Sequence, residues 1–229
     1  MPDIVRLRPG TTVAGTVRKA VIFDLDGVVV DSFAVMREAF AIAYAEVVGE
    51  GPAPFNEYEK HLGRYFPDIM RIMGLPMAME APFVRESYRL APQVRVFDGV
   101  RELLTDLRER GYRLAVATGK SGPRARSLLD ELGLLDRFDH VIGSDEVSRP
   151  KPAPDIMLRA LQLMGVQPEE ALVIGDAVSD IRSARAAGVP AVGATWADID
   201  EAVLRAARPD LLLRHPDELL PHCPPVPAG

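Results

Sequence analysis

The chain has a single cysteine, no long apolar run and no basic cluster, and each of these shortages excludes a class of protein. With Cys223 as the only cysteine among 229 residues, no internal disulfide can form, so a reducing compartment is expected. No segment approaches the roughly 18 apolar residues that span a membrane, and residues 1–18 lack the apolar stretch of a signal peptide. We therefore expect a cytoplasmic protein with no membrane partner.

Acidic residues outnumber basic residues along the chain, 33 to 27. The formal net charge is −6, the isoelectric point is near 5.3, and no run of basic residues is longer than two. Proteins that bind nucleic acid instead concentrate lysine and arginine on one surface. The composition therefore indicates that nucleic acid is not a partner.

The most informative segment is a pair of aspartates that follows an apolar run. Residues 20–23 have the composition of a strand buried on both faces, and Asp24 and Asp26 come directly after it. Side chains two apart on a strand share a side, about 6 to 7 Å apart, and Gly27 then allows a sharp turn. Unpaired carboxylates so placed would repel each other, which favours a metal ion between them. The alternative is an ordinary Asp-Gly turn.

Three later segments also place polar side chains just after a predicted strand. They contain Thr118, then Lys151 between two prolines, and finally Asp176 and Asp180 after a glycine. Each has a simpler explanation, because such residues also serve as helix caps, surface lysines and acids of a first helical turn. Their occurrence together, in this order, favours one shared site.

Apolar runs and helical periodicity alternate along most of the chain. Strands are predicted near residues 20–25, 113–118, 139–143, 171–175, 190–194 and 210–213. Helices are predicted near residues 99–110, 122–132, 153–165, 177–187 and 198–207. Strands that alternate with helices of this length predict an α/β fold with a doubly wound parallel sheet, whose ligand site lies at the carboxyl ends of the strands.

Residues 32–93 interrupt this alternation. They contain no clear strand, begin with helical spacing, and are divided by prolines into short helices. A helical lid with hinges near residues 32 and 93 would exclude water and contact the leaving group of a substrate. The predicted division is a core of residues 19–31 and 94–220, a small inserted α-helical cap domain of residues 32–93, and loose termini at residues 1–18 and 221–229.

The four polar segments resemble the signature motifs of the haloacid dehalogenase (HAD) superfamily, and the resemblance covers residues 19–220. Within the superfamily the chain is similar to the phosphoglycolate phosphatase and β-phosphoglucomutase group, whose members carry a small helical cap after the first motif. Residues 32–40, 61–70 and 118–126 also resemble the HAD proteins linked to 3-amino-5-hydroxybenzoate (AHBA) biosynthesis in antibiotic-producing actinobacteria.

The chemistry of phosphate esters suits these residues. A phosphate monoester dianion repels a nucleophile, so a catalyst must neutralise charge and hold the attacking oxygen in line. Asp24 would attack phosphorus to give an aspartyl phosphate, and Asp26 would act first as acid and then as base. Mg²⁺, Lys151 and Thr118 with its neighbour Gly119 would bind the phosphate.

Magnesium prefers carboxylate, carbonyl and water ligands, which suits Asp24 and Asp176. The resemblance implies that Asp26 adds its backbone carbonyl to the metal and that Asp180 orients Lys151 or a metal-bound water. We therefore expect Mg²⁺ as the cofactor, with Asp24, Asp26 and Asp176 as its ligands.

Candidate substrate contacts are Arg64, beside a glycine in the predicted cap, and Lys120, directly after the Thr118 motif. Arg124 has a similar position along the chain. For each of these residues the alternative is an exposed surface cation with no contact to substrate.

We predict a Mg²⁺-dependent phosphatase of a small phosphorylated metabolite, most simply a sugar phosphate or an amino-sugar phosphate of AHBA biosynthesis. Dehalogenases of the superfamily lack the second aspartate and ion-pumping ATPases carry threonine there, so Asp26 favours a phosphatase or a phosphomutase. The alternatives are a β-phosphoglucomutase-like enzyme and a regulatory protein that keeps the fold without turnover. The partner would be a small-molecule phosphate ester, and the protein would be a monomer or a homodimer.

Overall fold

Six strands form the central sheet of the computed structural model, which describes residues 17–227, and two short strands pair separately. The strands are β1 (Ala20–Phe23), β2 (Val30–Asp31), β3 (Arg95–Val96), β4 (Arg113–Ala117), β5 (His140–Ile142), β6 (Ala171–Gly175), β7 (Ala191–Ala194) and β8 (Leu211–Leu213). The α-helices are α1 (Phe33–Val47), α2 (Phe55–Tyr58), α3 (Phe66–Met73), α4 (Glu80–Arg89), α5 (Val100–Glu109), α6 (Gly122–Glu131), α7 (Asp155–Met164), α8 (Val178–Ala186) and α9 (Glu201–Ala206). None of these helices is long and apolar enough to cross a membrane.

The sheet is parallel throughout, with the order β5-β4-β1-β6-β7-β8. β1 lies at its centre because its side chains are apolar on both faces. Val21 and Phe23 join the core beneath α5 and α6, while Ala20 and Ile22 join the core beneath α7 and α8. This arrangement confirms the predicted doubly wound α/β fold. The chain reverses direction across the sheet between β5 and β6, which places the switch point at the carboxyl end of β1.

The paired strands β2 and β3 were not predicted from the sequence. Val30 pairs with Val96 and Asp31 with Arg95, in antiparallel register. Two-residue strands are too short to show an alternating pattern, so their pairing depends on the fold that brings them together. This ribbon joins the two ends of the helical segment, which runs from α1 to the residues before β3 and is called the insert below.

The insert packs around an aromatic cluster from three of its helices. Phe55 and Tyr58 of α2 stack with ring centroids 5.5 Å apart, and Phe66 of α3 stacks on Phe83 of α4 at 4.1 Å. Tyr58 links the two pairs through its contacts with Phe66 and Phe83. Aromatic pairs in such geometry contribute about 0.5–1.5 kcal/mol each in addition to the stabilisation from the area they bury. These contacts help to stabilise the packing of the short helices.

The carboxyl-terminal segment corrects one prediction. Residues 221–229 were expected to be loose, but Cys223 is fully buried and the partly buried Val226 packs against the core. Arg110 donates hydrogen bonds to the carbonyl oxygens of Leu220 (2.7 Å) and Cys223 (2.9 Å), and Tyr112 donates one to Pro224 (3.0 Å). The proline-rich composition did not predict these contacts, because proline suppresses helix and strand patterns but does not prevent a segment from packing. The expectation for residues 1–16 and 228–229 lies outside the described residues.

Replacing Arg110 with alanine should lower the free energy of unfolding by about 1–3 kcal/mol, because two carbonyl groups of the carboxyl-terminal segment lose their donor. Urea unfolding would measure the change. The matched control is Arg108→Ala, two residues earlier in α5, which removes a solvent-exposed ion pair with Asp139 and should cost about 0–1 kcal/mol. Equal losses in the two variants would contradict the structural role of Arg110.

Candidate active site

The predicted site residues converge at the carboxyl edge of the sheet. Asp24 follows β1, Thr118 follows β4 and Asp176 follows β6, and these three strands are neighbours. A cavity of about 410 Å³ lies at this edge, between the core and the insert, and Asp24, Asp26 and Asp176 line it. Thr118 and Lys151 are almost fully buried and contribute nothing to its lining.

Lys151 reaches this edge from the loop between β5 and α7. Its Nζ lies 2.6 Å from Asp180 Oδ1 and 3.0 Å from Asp24 Oδ1, and it donates a hydrogen bond to the carbonyl oxygen of Ala117 at 3.0 Å. Burial opposes the charged ammonium, but the carboxylates of Asp180 and Asp24 outweigh it and raise the pKa of Lys151 above its ordinary value. Lys151 therefore stays charged and contacts residues at or beyond the ends of three neighbouring strands, β1, β4 and β6.

Asp180 has two partners that fix its orientation. Its Oδ1 accepts from Lys151, and its Oδ2 accepts from the backbone N–H of Ala177 at 3.1 Å, at the start of α8. The side chain is fully buried. Asp180 thus lies in the first turn of α8, as the simpler explanation of its motif held, and also positions the lysine.

Three carboxylates form a group that could hold a metal ion. Oxygens of Asp24, Asp176 and Asp180 lie within 4.8 Å of one another. Burial and the carboxylate of Asp180 raise the pKa of Asp24 to about 7, and burial and Asp24 raise the pKa of Asp176 well above its ordinary value. Lys151 balances only part of this negative charge. The donor set and the charge imbalance both fit a divalent cation that prefers oxygen ligands.

One oxygen of the group has no hydrogen bond. Within residues 17–227, Asp24 Oδ1 is the only fully buried side-chain oxygen or nitrogen without one; its 3.0 Å contact with Lys151 is an ion pair that lacks hydrogen-bond geometry. A buried polar atom left in this state is costly. The oxygen is therefore placed for a ligand, either a metal ion or the group with which Asp24 reacts.

Asp26 lies beyond the end of β1, which stops at Phe23, and its carboxylate belongs to a different group of contacts. Lys120 Nζ lies 2.6 Å from both carboxylate oxygens, and Ser32 donates a further hydrogen bond. Burial tends to raise the pKa of Asp26, but Lys120 and Ser32 outweigh it and lower the pKa below its ordinary value. The sequence pointed to Lys120 as a substrate contact and missed its ion pair with Asp26.

Two glycines allow the loops of the site to approach each other. Gly27 has φ +75°, and a Cβ built on it would lie 2.0 Å from Asp176 Oδ2, so no side chain fits between the first loop and the acid. A Cβ on Gly119 would lie 2.6 Å from the carbonyl oxygen of Arg64 in the insert. Ser179 also donates a 3.3 Å hydrogen bond to the carbonyl of Leu62. These contacts seat the insert on the core beside Asp24.

The insert supplies much of the cavity wall. Arg64 lines the cavity, as do Lys120 and Arg124 from the core, so all three candidate substrate contacts are near the predicted reaction centre. Aromatic side chains that were not predicted from the sequence line the same cavity, and they include Phe33, Phe66, Phe83 and Trp196. Their spacing along the chain gives no signal, because a helical aromatic residue is more often part of a core than of a binding site.

Comparisons with known proteins agree with this geometry. The haloacid dehalogenase-like hydrolase family matches residues 18–188. A Dickeya dadantii protein named "Probable phosphatase IndB" is 33% identical over 84% of this chain and 88% of its own length. A Chromobacterium violaceum protein named phosphoglycolate phosphatase is 34% identical over 82% of this chain and 90% of its own.

The solved structure of a hydrolase from Pseudomonas syringae has a similar fold. It aligns with a TM-score of 0.78 and 24% identity, over 90% of this chain and 97% of that one. The family match covers well over half of the chain and includes the positions of all four motifs. The chain therefore belongs to the haloacid dehalogenase-like hydrolases, and the predicted enzyme class, a phosphoric monoester hydrolase, is confirmed.

Proposed function

We propose that this hydrolase is a Mg²⁺-dependent phosphatase that cleaves a small phosphate ester, a sugar or amino-sugar phosphate, through a phosphorylated Asp24. The observation that carries the proposal is Asp24 Oδ1. It is buried without a hydrogen bond in the described part of the chain, belongs to a residue of the cavity wall, and lies 3.0 Å from Lys151. A nucleophilic carboxylate must belong to the wall of the cavity that receives the substrate and lie close to a positive charge.

The carboxylates of Asp24 and Asp176 would hold Mg²⁺, and the family resemblance adds the backbone carbonyl of Asp26. When bound, the ion neutralises negative charge on the phosphoryl group and among the acids. Asp180 is engaged by Lys151 and Ala177, so we assign it the task of holding the lysine rather than the metal. Magnesium keeps several waters, so few protein ligands are enough.

Attack by an Asp24 oxygen forms an O–P bond while the bond between phosphorus and the leaving oxygen breaks, and Asp26 gives that oxygen a proton. Water then attacks phosphorus, the Asp24–phosphorus bond breaks, and Asp26 takes the proton from the water. Lys151, the backbone of Gly119 and the hydroxyl of Thr118 bind the phosphoryl oxygens. Thr118 Oγ1 accepts a hydrogen bond from the Lys120 backbone N–H at 3.2 Å, which leaves its own proton available to donate.

The ion pair between Lys120 and Asp26 affects whether Asp26 is ionised, as a base must be, or protonated, as an acid must be. While Lys120 contacts both oxygens, Asp26 is held ionised, which suits the base that receives a proton from water. To act as an acid, Asp26 must first carry a proton. A bound phosphate ester supplies a competing negative charge for Lys120, and release of the ion pair then favours protonation of Asp26.

Several phosphate esters are candidate substrates. Phosphoglycolate is named for relatives of the chain, and an amino-sugar phosphate would fit the AHBA likeness. A β-phosphoglucomutase-like isomerase is the second candidate, favoured by the close seating of Gly119 against Arg64, because a mutase must keep water from its phosphorylated aspartate. The products distinguish the two, since a phosphatase releases free phosphate and a mutase returns an isomerised sugar phosphate.

With p-nitrophenyl phosphate and Mg²⁺, Asp24→Asn should lower kcat by roughly a thousandfold or more, because the amide keeps the size of the side chain but is not a nucleophile. Release of p-nitrophenolate measures the rate. The control is Asp136→Asn, an acid that is 83% exposed and should leave the rate unchanged. A fully active Asp24→Asn variant would exclude the mechanism, and a wild type without turnover on this compound and on sugar phosphates would favour the regulatory alternative.

Addition of Mg²⁺ to EDTA-treated protein should raise the melting temperature, because the ion binds the folded acids and not the unfolded chain. At a hundred times Kd this linkage is worth about 2.7 kcal/mol. Asp176→Asn should lose both the thermal shift and the activity. Asp198→Asn, which changes an acid of the same cavity outside the carboxylate group, should keep the shift. Equal shifts for wild type and Asp176→Asn would place the metal elsewhere.

Asp26→Asn should turn steady hydrolysis of p-nitrophenyl phosphate into a burst. The p-nitrophenolate leaving group needs no proton, so Asp24 is still phosphorylated, whereas the water step lacks its base and slows by about 10²–10⁴-fold. Stopped-flow absorbance should therefore show about one equivalent of p-nitrophenolate followed by a slow phase. A variant that hydrolyses the ester at the wild-type steady rate without a burst would contradict the role of Asp26.

A further inference from the structure

Arg124 is a buried cation at the edge of the cavity. It lies in the first turn of α6, is only 9% exposed, and lines the cavity that Asp24 and Asp26 also line. Burial is the main influence on the guanidinium and lowers the pKa of Arg124, partly offset by the charge of Asp26. Arginine nevertheless stays protonated in proteins, so a full positive charge lies here.

The guanidinium has no hydrogen bond or ion pair with the protein in residues 17–227. Its one specific contact there is with the ring of Phe83 in α4, whose centroid lies 5.2 Å from the guanidinium carbon. Arg126, two residues further on, differs in both respects: it is more exposed and forms an ion pair with Glu146 at 2.9 Å. No guanidinium nitrogen is both fully buried and unpaired, so the N–H groups of Arg124 reach the cavity that it lines, where they are open to an acceptor oxygen that residues 17–227 do not supply.

The partner of Arg124 belongs to the leaving group of the substrate rather than to the phosphoryl group. The phosphoryl position is defined by Asp24 and Lys151 at the strand ends, whereas Arg124 contacts Phe83, a residue of the insert. An aromatic ring beside a guanidinium takes up none of its N–H groups as a conventional hydrogen-bond acceptor would, so these groups remain able to donate to an oxygen. Arg124 therefore offers donors to a part of the substrate that lies against the insert.

The volume and the walls of the cavity also indicate the size of that leaving group. Its volume of about 410 Å³ falls in the range of pockets that hold drug-sized ligands, and its walls include the rings of Phe33, Phe66 and Phe83. A two-carbon leaving group would fill little of this space and would contact few of these rings. A ring-sized body can fill more of the space and contact more of the rings.

We propose that Arg124 is a specificity-determining residue that binds acceptor oxygens on a ring-sized leaving group held against the aromatic wall of the insert. The inference rests on the proposed phosphatase function and names the chemistry of its substrate. The acceptor oxygens belong either to a carboxylate or to the hydroxyl groups of a sugar, and both accept hydrogen bonds from the guanidinium fork.

Two matched pairs of phosphate esters test this assignment. Glucose 6-phosphate is compared with cyclohexylmethyl phosphate, and 3-carboxyphenyl phosphate with phenyl phosphate, so that each pair keeps the ring and removes the acceptors. Arg124→Gln should lower kcat/KM by about 10- to 100-fold for at least one oxygenated ester, the size expected for a lost charged hydrogen bond. The plain-ring ester of that pair should change by less than about threefold.

Two further variants complete the experiment. Arg126→Gln, on the same helix, should leave all four esters within about threefold of wild type. Arg124→Lys keeps the charge without the fork and should recover only part of the loss. The oxygenated ester that loses most identifies the source of the acceptors, hydroxyl groups or a carboxylate.

The assignment is overturned if Arg124→Gln lowers kcat/KM equally for both members of each pair, since that would mean a structural role. It is also overturned if the variant leaves both oxygenated esters unchanged. Failure of the phosphatase proposal looks different, because the wild type would then release no phosphate from any of the four esters.

Discussion

Lys151 lies between two buried carboxylates, 3.0 Å from Asp24 and 2.6 Å from Asp180, and the rest of the site depends on this ion pair. A buried charge that loses its partner costs several kcal/mol, so each of these residues requires the others. With Asp176 beside them, one ammonium faces three acids. The surplus negative charge makes the site suited to a divalent cation and to the anionic substrate that such a cation accompanies.

The parallel sheet is what brings these groups together. Asp24, Thr118 and Asp176 are far apart along the chain, but each follows one of three adjacent strands whose carboxyl ends share an edge. Gly27 then lets the first loop close against Asp176, and Gly119 lets the insert approach the same edge. The fold therefore sets the position of the acids, while the insert supplies much of the wall of the cavity beside them.

Much of the fold and of the candidate site could be predicted from the sequence. There is a physical reason why some features could be predicted and others could not. Short apolar runs followed by polar residues predicted the strand ends, and hence the meeting of Asp24, Thr118 and Asp176. The ion pair of Lys120 with Asp26 joins residues 94 positions apart and has no local pattern. Burial of Cys223 and of Arg124 likewise depends on surfaces that exist only after folding. Composition therefore suggested a loose end, and it left open whether Arg124 contacts the substrate or is an exposed cation.

The central claim is that Asp24 becomes covalently phosphorylated during turnover. The most direct test is acid quenching of the Mg²⁺-loaded enzyme during hydrolysis of a phosphate ester, followed by mass spectrometry of its peptides. We expect one phosphoryl group, carried by Asp24 and absent from the Asp24→Asn variant. Turnover with phosphate on another residue, or with no phosphoenzyme at any quench time in wild type or in Asp26→Asn, would contradict it.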